Sequence, residues 1–222
     1  MKNLNLFLIF SLSLFLSVSS VNADMINYDY SLAADDTLST PYNWATVDTF
    51  DSDRPGWTYS GFGAIRNGSV SGRYAAPYND SIMSEADQTK YFAVPENTSV
   101  GLTADVTFGG NEYNYLGLFW GSADSYNSIQ FYNDNVLIAT YTGTDILNPA
   151  NGNQYASSTN KYVNFMLTEY FDKVKLISTS YAFELDNLAV GDSEIPRTPV
   201  PGAALLGIIG LFIAGKKLRK YA

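Results

Sequence analysis

Carboxylates are the strongest chemistry in this chain. It contains no histidine and no cysteine. Their absence removes Ser-His-Asp and Cys-His nucleophile systems, and the usual zinc sites with them. A carboxylate pair, a lysine or a tyrosine is what remains for catalysis. Glu85, Glu112, Glu169 and Glu184 are available. A glycan-cleaving enzyme needs two carboxyls held across a cleft at one of two separations, and no motif pairs any two of these. Asp51, Asp53, Asp124, Asp134 and Asp186 carry the hard oxygens that calcium takes. Their spacing is neither that of an EF-hand nor that of a calcium-binding nonapeptide repeat, so solvated turn aspartates are the plainer reading. Asp124, Asp186 and Asn187 stand as the metal candidates. No cofactor is expected, calcium being the one ion this chemistry would admit.

Aromatic side chains offer a second kind of chemistry, stacking on sugar rings. The chain has three tryptophans and 17 tyrosines. Trp120 lies in the most apolar stretch and is expected in the core. Trp57, between Gly56 and Thr58, is the candidate for a surface carbohydrate contact. Asn67, Asn79 and Asn97 each open a match to the glycosylation sequon, a match common by chance.

The elements that must position these residues are strands. Tyr, Phe, Thr, Val, Ser, Asn and Gly dominate the middle of the chain, with turn residues at short intervals. Alternation over 99–108 predicts a half-buried strand. The almost wholly apolar 115–120 predicts a central one. Residues 129–132 and 136–141 flank Asn133-Asp134-Asn135, a hairpin turn by composition. In 162–167, Val163, Phe165 and Leu167 share one face. Val174 and Leu176 point inward in the strand that follows. Along 182–190 the parity breaks: Phe183 and Leu185 fall on one face, Leu188 and Val190 on the other. A β-bulge at Asp186-Asn187 would return both pairs to the core. It would either satisfy these two side chains locally or turn them toward a loop or cation. Residues 81–90 have room for a turn or two of helix; no other helix is predicted between 24 and 195, and 24–41 has no assignment. The expected fold class is all-β, an antiparallel two-sheet sandwich of jelly-roll type.

Both ends lie outside that domain. Residues 1–23 read as a secretory signal peptide: Met1-Lys2, an apolar stretch, then Val21-Asn22-Ala23 before the cleavage point. Residues 24–195 form the ectodomain, and 196–201 a linker. Residues 202–215 read as a transmembrane segment and 216–222 as a cytoplasmic basic tail. The uncharged run 200–215 spans about 24 Å as a helix, short of the ~30 Å hydrocarbon core. Snorkelling lysines and local thinning make up the difference. Lys216, Lys217, Arg219 and Lys220 place the end of the chain on the cytoplasmic side. All 22 acidic residues fall within 24–195, against seven basic ones, a net charge of −15. So acidic a surface excludes nucleic acid as a partner and suits solubility outside the cell. Without cysteine, an exported domain relies on its core rather than on disulfides.

Pro199-Val200-Pro201, the apolar run 202–214 and Lys216-Lys217-Leu218-Arg219-Lys220 resemble the sorting tail of the PEP-CTERM proteins, the exosortase substrates of Gram-negative bacteria. The likeness covers about the last 25 residues. Val200 stands where the family's namesake motif has an acidic residue, as in a variant subclass with an apolar residue between the prolines. Which sorting enzyme acts is left open by that departure. The resemblance implies a transient stay in the inner membrane, an exosortase as partner, and delivery to the cell surface or the exopolysaccharide matrix.

A second likeness covers the middle. Gly72-Arg73-Tyr74-Ala75-Ala76-Pro77-Tyr78, the stretch 115–122, Asp124-Ser125-Tyr126-Asn127, Tyr162-Val163-Asn164-Phe165 and Ala182-Phe183-Glu184-Leu185-Asp186-Asn187 look like a group of exosortase-dependent surface proteins. It implies a lectin-like or jelly-roll sandwich and brings no activity with it. The expected function is therefore a non-enzymatic surface or matrix protein. A carbohydrate-binding module is the alternative, and a glycan-cleaving enzyme the more distant one.

Overall fold

A computed structural model describes residues 25–30, 38–52, 55–95 and 102–193. The expected signal peptide at 1–23, the expected sorting motif at 199–201, the apolar run and basic residues that follow it, and Asp53 lie outside the described residues. Among the described residues no helix is long and apolar enough to cross a membrane.

The chain is all-β. Its strands are β1 (Met25–Tyr30), β2 (Thr46–Asp48), β3 (Thr58–Gly61), β4 (Ala64–Asn67), β5 (Lys90–Val94), β6 (Leu102–Thr107), β7 (Tyr113–Gly121), β8 (Asn127–Asn133), β9 (Val136–Thr142), β10 (Lys161–Phe171), β11 (Lys173–Ser178) and β12 (Phe183–Gly191). They form two antiparallel sheets. The larger has the order β1-β10-β7-β12-β5-β4, with β2 added alongside β12; the smaller has the order β3-β6-β11-β8-β9. Among the described strands, only β4–β5 and β8–β9 pair neighbours in sequence. Apart from β1 and β2, which both belong to the larger sheet without pairing, the chain otherwise passes between sheets, as in β6 to β7 to β8 and β10 to β11 to β12.

The inner faces meet in one core. Leu116, Leu118 and Trp120 of β7, with Val163, Phe165 and Leu167 of β10, come from the larger sheet. Val106, Ile129, Phe131, Val174 and Leu176 come from the smaller. Rings bridge the two: Phe131 lies 5.6 Å from Phe165 and 5.1 Å from Phe171. The alternation in β6, β8 and β11 is what a strand with one dry face requires. The apolar run at 115–120 is central in fact, lying between β10 and β12. The hairpin at Asn133-Asp134-Asn135 is also present. Asn133 pairs with Val136, and Asp134 and Asn135 both take positive φ, the signature of the tight hairpin turn that matches strand twist.

The parity break in β12 resolves as the predicted bulge. Its register against β7 shifts between Asp186 and Ala189, and Asn187 has φ 49°. Phe183, Leu185, Leu188 and Val190 all reach the core. Asn187→Ala and Asn187→Gly remove the same side-chain bonds but differ in tolerance of this backbone. Ala is expected to unfold at lower urea, the difference being about 1 kcal/mol. Equal midpoints would show that the left-handed conformation is not needed.

Two expectations need correction. Residues 81–90 form no helix. Asp87 Oδ1 accepts from the Thr89 backbone N–H at 2.7 Å and from its hydroxyl at 2.5 Å. Such side-chain bonds offer the backbone a turn in place of a helical bond. A helix does occur where none is predicted, α1 (Gly143–Ile146), a single turn capped by Thr142 and Asp145 in a capping box. Four residues are too few to show a helical period. The unassigned lead-in contains β1, an edge strand on β10.

The outer face of the larger sheet is also covered. Residues 68–89 fold across it, with Ala76, Tyr74 and Ala86 packed on Tyr91 and Ala93 of β5. Tyr42 and Trp44 lie against Tyr115 further along. Gly121 permits the close approach, since a Cβ there would meet Pro77 at 3.2 Å. This cover explains why Glu184 and Asp186, on the outer face of β12, are buried.

Candidate functional site

Where the cover meets the ends of β7 and β12, it leaves a cleft of about 140 Å³. Its walls come from 69–75, 122–126, 152–154 and 181–184.

Glu184 forms the floor. It is 2% exposed. One carboxyl oxygen accepts from the Ala75 backbone N–H at 2.8 Å, the other from the Ser122 hydroxyl at 2.9 Å. This one side chain therefore ties the covering segment to the turn after β7. Ser122 sits at φ 39°, and its N–H donates to Asn160 Oδ1 at 2.7 Å. Burial pushes the Glu184 carboxyl up to about 7; the Ala75 and Ser122 donors hold it lower than burial alone would, and the Asp124 charge adds to the rise.

Asp124 stands in the wall, half-buried. Burial raises its carboxyl above the usual range, while a hydrogen bond from the Tyr126 hydroxyl pulls it down. The one proton of that hydroxyl points to the Tyr181 carbonyl, 2.5 Å away, so Tyr126 influences Asp124 from beside it rather than as its full-time donor. A Cβ at Gly152 would overlap the Asp124 carboxylate, and Gly152 has φ 66°. Glycine is what lets the 152–154 loop lie against this acid. Arg73 and Gln154 complete the rim, both exposed.

The metal candidates are divided. Asp124 is at the cleft, whereas Asp186 and Asn187 are at the bulge and outside its walls. Asp186 Oδ1 accepts from the Asn187 N–H at 2.7 Å. The Asn187 amide donates to the Leu38 carbonyl at 2.8 Å. The bulge thus satisfies its own side chains and pins the 38–45 stretch. Burial, together with the Asp87 carboxyl hydrogen-bonded to it, pushes Asp186 up to about 9. Among the described residues no group of three or more acidic side chains is arranged to hold a metal ion. Asp51 caps the Lys90 N–H at 3.0 Å, and the Asp134 N–H donates to Asp172 at 3.1 Å.

Of Glu85, Glu112, Glu169 and Glu184, the glutamates considered for catalysis, Glu184 alone lines the cleft; Glu85 and Glu112 are exposed on other segments. Trp120 is fully buried, stacked on Phe183 at 4.5 Å. Trp57 is half-buried and packs edge-on against Phe108 at 5.3 Å, away from the cleft. Trp44 is the more open tryptophan, 43% exposed. Asn79 of the second sequon is buried, its amide donating to the Asn160 carbonyl at 2.7 Å. Sequence reasoning missed Arg73, Tyr74, Tyr126, Gln154 and Tyr181 as members of one site. Their separation along the chain conceals it; only the fold brings 73, 124, 154 and 184 together.

Comparison with protein-family models returns no match, and comparison with curated proteins returns none either.

Proposed function

We propose that the chain is an exported, non-enzymatic protein of the cell surface or exopolysaccharide matrix of a Gram-negative bacterium. A leader at 1–23 directs export. The segment 202–215 then holds the chain in the inner membrane, with the basic cap inside. An exosortase cuts near Pro199-Val200-Pro201 and the ectodomain passes outward. The observation that carries this reading is the three-part tail: a Pro-x-Pro, an uncharged run and four basic residues in succession. The charge of −15 on 24–195 and the absence of cysteine fit a domain that works outside the cell on its core alone.

The fold fits this role as a jelly-roll or lectin-like sandwich, with two antiparallel sheets around one core. Non-enzymatic action is favoured by the way Glu184 is used, since both its oxygens hold protein donors. A carboxyl engaged in tying two loops together is poorly placed to pass a proton to a substrate. The mass of the surface-released protein tests the reading: cleavage near Pro201 supports it, and a retained tail opposes it.

A further inference from the structure

We propose that the cleft walled by 69–75, 122–126, 152–154 and 181–184 binds one residue of a neutral saccharide. The inference rests on the surface-protein reading only for where the glycan is met; the chemistry stands on the cleft itself. At about 140 Å³ the space is well beyond one water. A water needs ~10–15 Å³, and a drug-sized pocket starts near 300 Å³. One six-membered ring is the fitting size.

The walls select the chemistry. An anion would face Asp124 and Glu184 on a domain of charge −15. A divalent cation takes about six to eight oxygens. Only two carboxyl side chains line the cleft, and Arg73 stands at its rim. An apolar ligand would strand these polar groups without partners. A hydroxyl-rich neutral ring suits all of them. Asp124 accepts from its hydroxyls, Arg73 and Gln154 donate to them, and Tyr126 and Tyr181, which also line the cleft, are the aromatic side chains beside its C–H faces. Glu184 acts as a positioning residue, since its bonds to Ala75 and Ser122 set the distance between opposite walls.

The test is a calorimetric titration of the full-length chain in detergent. The probes are the methyl glycosides of glucose, galactose, mannose and N-acetylglucosamine, with calcium chloride and sodium phosphate as ionic probes. At least one glycoside is expected to bind. Asp124→Asn removes a charged acceptor without changing shape and is expected to weaken that binding roughly tenfold. Arg73→Ala, at an exposed position, is expected to weaken it roughly fivefold with an unchanged urea midpoint. Loss in either variant supports the assignment. The proposal is overturned if no glycoside binds, if binding survives both substitutions unchanged, or if only the calcium or phosphate probe binds. Purified protein is used throughout, so failure of the sorting reading leaves this result standing, and the reverse holds too.

Discussion

Glu184→Gln is expected to flatten the acid-to-neutral limb of the stability curve. Glu184 is buried, with its carboxyl raised from an ordinary 4.5 to about 7. A folded state that holds a proton more tightly than the unfolded one loses stability as pH rises. The contribution is therefore complete below pH 4.5 and lost progressively between 4.5 and 7. By linkage the loss is on the order of 3 kcal/mol. Glutamine keeps both bonds: its oxygen accepts from the Ala75 N–H and its amide donates to the Ser122 hydroxyl. Urea unfolding at pH 4.5 should find the two proteins alike. At pH 8 the Gln variant should be the more stable by about that amount. A slope persisting to about pH 9 belongs to Asp186, whose raised carboxyl titrates later. Parallel pH profiles for the two proteins would show that Glu184 is not buried in this way.

Phe131→Ala is expected to be the most damaging single truncation of the core. Phe131 is fully buried in β8, and its ring touches Tyr141, Phe165 and Phe171 at centroid distances of 6.1, 5.6 and 5.1 Å. It bridges the smaller sheet to the larger at the centre of a ring cluster that Tyr141 and Phe165 complete at 5.5 Å. Removing a buried phenylalanine costs about 3–5 kcal/mol, through lost transfer energy and the cavity left behind. For a domain of this size the thermal midpoint should fall by roughly 10 °C. Phe131→Leu, which conserves more volume, should lose less than half as much. A drop of only a degree or two for the alanine variant would mean that the sheets do not pack through this ring.

The second half of the strand pattern was legible because each strand there has one dry face or two. Residues 129–132, 136–141, 162–167 and 174–176 all lie in strands, and the Asp186-Asn187 bulge was readable from parity alone. The alternation over 99–108 and the apolar run 115–120 were legible too, as β6 and β7, whereas β1 to β5 were not. Strands β2, β3 and β4 have three or four residues each, too few for an alternation to register. β5 is buried on both faces beneath the 68–89 cover, so its pattern is continuous. The cleft was hidden for a related reason. Asp124 and Glu184 were each legible as available acids, yet nothing local pairs them. Their meeting depends on β7 and β12 lying side by side, a contact between segments some 60 residues apart. Trp57 looked available because its neighbours are small and polar, but the core edge at Phe108 takes one side of it.

Intact-mass spectrometry of the protein released from the cell surface tests the sorting reading most directly. The expected species begins near Asp24 and ends close to Pro201, without residues 203–222. Surface-released protein that still carries Lys216, Lys217, Arg219 and Lys220 would contradict it.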